Sequence, residues 1–239
     1  AWKRTGVIIL NHDAATEKRQ SSLLEKRADG EIYRFIDPNE ASDISGIGIK
    51  FNGLFYEDAG YILPEEMCKF LIESPKINIF TSSRIKNITK NRETVHLNIG
   101  KQEFEYQNVC LCTGSDTTEI FDIDAIGIKR GQVTHIESLD SVSKIKLPIC
   151  AKGYISPQVN NIHLVGSSYS DSVDNDLSED DHLYNLNNLK LVIDEEMNVV
   201  SGQTGHRAVS KDHMPVVGKK NGIFINTCHG SRASVTAPI

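Results

Sequence analysis

No apolar run in this chain approaches the ~18–20 residues that a bilayer span requires. The longest, GVIIL near residue 6 and IHLVG near residue 162, are the size of strands. A charged n-region followed by an apolar h-region is missing from the start, so the expectation is a cytoplasmic protein, and the sequon Asn87-Ile88-Thr89 then carries no meaning. Cysteine is scarce: Cys68, Cys110, Cys112, Cys150 and Cys228 make an odd five with no CxxC spacing. That pattern excludes a disulfide framework, gives no metal site, and points to reduced thiols. Positive charge is short as well, 26 Lys and Arg against 32 Asp and Glu for a net −6. A general nucleic-acid binder, DNA included, is excluded, because neutralising phosphates needs clustered cations; a local basic patch is not. What remains is 39% hydrophobic residues with ordinary charge in 239 residues. That suffices for one large soluble domain or two small ones.

Local patterns predict α+β material. GVIIL reads as a strand, and Asn11 or Asp13 can cap the helix AATEKRQSSLLEKR. Asp37-Pro38 starts a second helix, with Pro at its first position. GLFYEDAGYILP reads as two strands around a turn at Asp58, and Pro64 opens the helix EEMCKFLIES. From Ile77 the segments INIFTS, RIKNITK, ETVHLNI and QEFEYQ alternate as a β-meander. An apolar strand then runs from Asn108 to a Thr113-Gly114 turn, where glycine allows close backbone approach to a ligand. RGQVTHIES, Ile149-Cys150, GYISPQ and NIHLVGSSY predict further strands of a mixed or antiparallel sheet. DSVDNDLSEDD lacks the glycine and glutamate placement of a calcium loop and reads as a solvated loop. HLYNLNNLKLVID is a helix packed through Leu183, Leu186, Leu189 and Val192. The last strand runs from Ile223 to Thr227.

The stretch Gly202–Gly218, GQTGHRAVSKDHMPVVG, organises the functional reading. It is expected to place Arg207 just after a Gly-rich strand end, in a loop between ordered pieces. A guanidinium there suits a carboxylate, which its planar fork binds through two charge-assisted hydrogen bonds. A surface salt bridge is the alternative.

Four stretches in order, CLCTGSDT, GYISPQVNNIHLVGSSY, GHRAVSKDHMPVVG and CHGSRASVTAPI, resemble the D-amino-acid oxidase and glycine oxidase superfamily of FAD enzymes. GSDTTEIFDIDAIGIKRGQVTHI, LPICAKGYISPQ and GQTGHRAVSKDHMPVVG are similar to the oxidoreductase modules of bifunctional enzymes of tRNA 5-methylaminomethyl-2-thiouridine biosynthesis. The resemblance implies a glycine-oxidase-like two-part fold of the α+β or α/β class, a mixed-sheet substrate domain interleaved with a partial FAD-binding domain. Residues 1–76 and 126–204 would form the substrate part, 77–125 and 205–239 the flavin part. The family's N-terminal GxGxxG turn is not in this sequence; Gly46-Ile47-Gly48 is no substitute, because position 51 is Phe. The chain therefore reads as a fragment lacking that motif and the preceding methyltransferase module, and FAD is expected in the complete parent but not necessarily in the fragment. Ala233 stands where relatives usually carry glycine.

The implied reaction is FAD-dependent removal of the carboxymethyl group from 5-carboxymethylaminomethyl-2-thiouridine at the tRNA wobble position. A small-molecule glycine or sarcosine-type amine oxidase and a non-catalytic module are the alternatives. On the resemblance Arg207 clamps the substrate carboxylate, and Tyr154 lines the pocket or is a core aromatic. Gly230, Ser231 and Arg232 run along the flavin, and Thr113 and Gly114 make a second flavin contact or a tightly packed turn. His206, His213 and His229 show no ligand spacing and read as hydrogen-bonded histidines, with no metal expected. Lys211, Lys219, Lys220 and Arg130 form a basic rim for tRNA or are scattered solvated cations.

Overall fold

The computed structural model of the chain describes residues 2–25, 32–121, 123 and 126–230. The chain divides into two compact units. The first comprises Ala1–Pro75, Gln132–Ser168 and Asp176–Thr204, the second Lys76–Gly131, Tyr169–Asn175 and Gly205–Ile239. One crossing between them falls within the strand Ile126–Glu137, and the last falls within Val199–Ser210.

An eight-stranded mixed sheet belongs mainly to the first unit. Its order is Val199–Ser210, Ile126–Glu137, Ile162–Gly166, Tyr154–Ile155, Ile149–Cys150, Val7–Leu10, Gly53–Tyr56 and Arg34–Ile36. Val7–Leu10 is an interior strand, sixth of the eight, buried on alternate positions with Ile8 and Leu10 fully enclosed. It runs parallel to Ile149–Cys150 and antiparallel to Gly53–Tyr56, so Ile8 stands between Ile149 and Phe55. These residues, with Ile36, Ile136 and Ile155, form the larger core. Full burial of each such side chain stabilises by about 1.5–3 kcal/mol.

Two helix starts follow from side-chain chemistry. Asp13 Oδ1 accepts from the Thr16 N–H at 2.7 Å ahead of the helix Ala14–Glu25. Asp37 Oδ1 accepts from the Glu40 N–H at 2.9 Å ahead of Pro38–Ser45. That second helix ends at Gly46, whose φ of +85° only glycine adopts without strain. Glu179–Leu189 departs from expectation: it stops at Leu189, before Val192, and Leu183 is 56% exposed. Its buried face is partly polar, because Asn185 Nδ2 donates to Gln132 O at 2.9 Å and to Thr134 Oγ1 at 3.1 Å.

The second unit holds the antiparallel meander Ile85–Asn91, Thr94–Ile99 and Gln102–Tyr106. INIFTS is not one of its strands; Ile77, Ile79 and Phe80 are 44%, 56% and 76% exposed. Alternation alone makes no strand without a neighbour for its N–H and C=O groups, and INIFTS takes no strand partner among the described residues. A three-stranded sheet joins Val216–Lys220, Ile223–Thr227 and Cys110–Leu111, the last two parallel. Leu111 and Ile223 pack with Ile88, Val95 and Leu97 into a second, smaller core.

Candidate functional site

Arg207 lies inside the strand Val199–Ser210, not in a loop after it. The glycines suggested a strand end, but Gly202 is a point of close approach: a methyl group added there would stand 2.8 Å from Val133 O. The true turn follows Ser210. There Asp212 Oδ1 accepts from the Met214 N–H at 3.0 Å, and Ser210 Oγ donates to Met214 O at 2.6 Å.

The guanidinium rests on the backbone of Gly131. A methyl group at Gly131 would come 2.2 Å from Arg207 Nη1 and 2.8 Å from both Cζ and Nη2, so only glycine leaves it room. Nη1 is buried, and the Tyr169 ring centroid stands 6.0 Å from Cζ. One side of the cation is thus held by a strand and another by an aromatic ring.

Two cavities meet at Arg207. One, of about 140 Å³, is lined by Tyr169, Arg207, Ser210, His213, His229 and Gly230. The other, of about 360 Å³, shares Arg207, His229 and Gly230 and adds Cys112, Gly114 and His206. Gly114 and Gly230 both have φ of +56°, and a side chain on either would project into open space. The Gly114 turn is tied down by Thr227 Oγ1, which donates to Gly114 O at 3.1 Å. Thr113 faces the helix after it, its hydroxyl 2.9 Å from that of the buried Thr117. Arg207, Gly114 and Gly230 are therefore brought together. Tyr154 belongs to the first unit, where its ring lies against Gly166. Ser231 and Arg232 lie outside the described residues.

Charges around this strand are paired. Arg130 is 2% exposed and cannot be part of a rim; its Nε lies 3.1 Å from Asp174 Oδ1. Asp174 is held below the usual carboxylate range by the Ser172 hydroxyl first, and also by Arg130 and His206. Lys129 pairs with Asp171. The acidic loop is thus anchored at two of its carboxylates instead of being wholly solvated. His229 Nε2 is 2.6 Å from Asn226 Oδ1, and burial pushes the Cys228 thiol up.

Comparison with known proteins decides the family. The FAD dependent oxidoreductase family DAO matches residues 1–239. The chain belongs to it. The tRNA 5-methylaminomethyl-2-thiouridine biosynthesis bifunctional protein MnmC of Legionella pneumophila (strain Corby) is 31% identical over 220 residues, 89% of this chain and 32% of that protein. The protein of the same name from Chromobacterium violaceum is 24% identical over 280 residues, 100% of this chain and 42% of its own. The chain thus spans about a third of the first relative's length. Glycine oxidase from Geobacillus kaustophilus superposes with a TM-score of 0.85 at 16% identity, over 99% of this chain and 68% of that one. L-proline dehydrogenase from P. horikoshii also reaches 0.85, at 14% identity, over 100% and 70%. These likenesses give the DAO chain a glycine-oxidase-like fold.

FAD is the cofactor of the family, and the residues present fit one end of such a group. Two left-handed glycines border a cavity of about 360 Å³, a size suited to a small-molecule site, with a fixed cation beside it. Sequence reading missed Gly131 and Tyr169. Gly131 had a signal, a glycine inside the strand pattern RGQVTHIES, which marks close backbone approach. Tyr169 had none, since what matters is a ring facing a residue 38 positions away.

Proposed function

We propose that this DAO chain is the substrate-holding portion of an oxidoreductase that removes the carboxymethyl group from 5-carboxymethylaminomethyl-2-thiouridine at the tRNA wobble position. The observation that carries it is the Arg207 guanidinium, fixed against Gly131 and shared by both cavities. The similarity to proteins named for that biosynthesis supports the RNA substrate.

In this reading the smaller cavity takes the carboxylate. Arg207 grips it through the two-pronged guanidinium, and Tyr169 holds the cation in place. That grip positions the neighbouring methylene towards the larger cavity, where Gly114 and Gly230 leave room for the flavin. FAD bound there would supply the oxidation of the bond between that methylene and nitrogen, and hydrolysis would then give the aminomethyl nucleoside and glyoxylate. Backbone N–H groups of the loop at Gly230, Ser231 and Arg232, and the turn at Thr113-Gly114, are the proposed flavin contacts. Tyr154 is kept as a second pocket tyrosine on the resemblance. The second unit is assigned as the flavin part and the first as the substrate part. Lys211, Lys219 and Lys220, all exposed, are the proposed tRNA contacts in a cytoplasmic enzyme that also carries a methyltransferase module.

The test is bleaching of bound FAD, with glyoxylate release, on tRNA bearing the carboxymethylaminomethyl group and on free sarcosine. Bleaching by the tRNA is expected. Arg207→Ala should raise the apparent KM roughly 10- to 150-fold, the loss of a charge-assisted carboxylate clamp, and leave flavin absorbance intact. Turnover of sarcosine alone would replace this reading with a small-molecule amine oxidase. A protein that stays colourless with added FAD would make the chain as given a non-catalytic module.

A further inference from the structure

Cys110 and Cys112 take no part in the chemistry above, yet their Sγ atoms lie 3.6 Å apart, both exposed. Alternation along an extended chain puts residues i and i+2 on one face, about 6.6 Å apart between Cα atoms at ~3.3 Å per residue. That is near the upper end of the span a disulfide bridges. The sulfurs need to approach by roughly 1.6 Å to reach bonding distance of ~2.0 Å.

The two positions differ in freedom to move. Cys110 is held in the ladder opposite Phe224, and the buried Leu111 stands opposite Ile225. Cys112 is the first residue beyond the strand and lines the larger cavity, two residues ahead of Gly114. Closure therefore falls on the free end, where the chain can pucker. Burial first, and then Cys110 beside it, push the Cys112 thiol up. Cys110, exposed and fixed in the ladder, is taken as the sulfur that meets the oxidant.

We infer that Cys110 and Cys112 are a dithiol that a hydroperoxide oxidises reversibly to an intrachain disulfide in the wall of the larger cavity. The Cys110 thiolate attacks the peroxide oxygen; the O–O bond breaks and the departing oxygen leaves as water or alcohol after taking a proton. Cys112 sulfur then displaces hydroxide from the Cys110 sulfenic acid, and that hydroxide leaves as water with the Cys112 proton. Two thiols are oxidised, one peroxide is reduced, and no metal or flavin is required. The short ring makes the product strained and easily reduced.

The reduced 239-residue protein is treated with hydrogen peroxide, alkylated, digested and weighed. The peptide holding Cys110 and Cys112 is expected lighter by two hydrogens and unalkylated, with full alkylation restored by dithiothreitol. Cys68, exposed and without a neighbouring thiol, serves as the internal control and should give no such product. Cys112→Ser should instead leave a Cys110 sulfenic acid that a cyclic dione traps. In the untreated protein phenylarsine oxide, which bridges two close thiols, should block both, and fail in Cys112→Ser. Full alkylation of both cysteines after peroxide, or a disulfide from either to Cys68, Cys150 or Cys228, overturns the inference.

Discussion

Gly131 supports the cation only by lacking a side chain. A methyl group there would press 2.2 Å from the buried Arg207 Nη1 and push the guanidinium off the Gly131 backbone towards the cavities it lines. Gly131→Ala is therefore expected to weaken carboxylate binding about tenfold, a displacement costing about 1.4 kcal/mol. The decisive measurement is a double-mutant cycle read as KM. Once Arg207 is alanine, the added methyl group should cost nothing more; equal losses in both backgrounds would show that Gly131 matters only to the strand. Lysine at 207 would keep the charge and lose the planar fork that lies on Gly131.

At the scale of elements, local chemistry sets the ends of helices and tertiary contact decides what becomes a strand. Asp37 is the clearest cap, accepting the Glu40 N–H at 2.9 Å with Pro38 behind it. Asp37→Ala should cost about 1 kcal/mol. In a protein of this size that lowers Tm by roughly 2–4 °C, read by calorimetry; an unchanged Tm would mean that packing alone sets this helix start. Strand boundaries behave otherwise. INIFTS has the alternation of a strand, yet it stays unpaired among the described residues. Val199–Ser210 carries two glycines and is still a strand, because it pairs with Ile126–Glu137.

For the molecule as a whole, the perturbed groups give stability a limb on either side of neutrality. On the acid side, burial depresses His163 and His135 from 6.5. A depressed histidine leaves the folded state binding fewer protons than the unfolded one, so stability is present above pH 6.5 and falls as pH drops. Asp13, Asp174 and Asp212, each held below 3.8 mainly by hydrogen bonds to the carboxylate, lose their contributions lower still. On the alkaline side, burial pushes the Cys150 thiol from 9.0 to about 11. The unfolded thiol ionises first, so stability is full below pH 9.0 and is lost as pH rises towards about 11. Tm against pH should be a dome, and Cys150→Ala should flatten its alkaline limb alone. An alkaline limb unchanged in that variant would place its origin elsewhere.

Much of this was legible from residues near one another in the chain. The cap at Asp13, the helix start at Asp37-Pro38, three of the four meander segments read from Ile77, the strand Ile223–Thr227 and the glycine turn at Gly114 depend on neighbours within a few positions, where propensity and periodicity act. Arg207 could be singled out for the same reason, as a forked cation among glycines, and the ordered motifs pointed to the family. Sequence could not tell that Arg207 sits in a strand, that Arg130 is buried with Asp174, or that Gly131 and Tyr169 hold the guanidinium. Each of those depends on the distance between residues far apart in the chain, which is set only when the strands pair and bury their faces together.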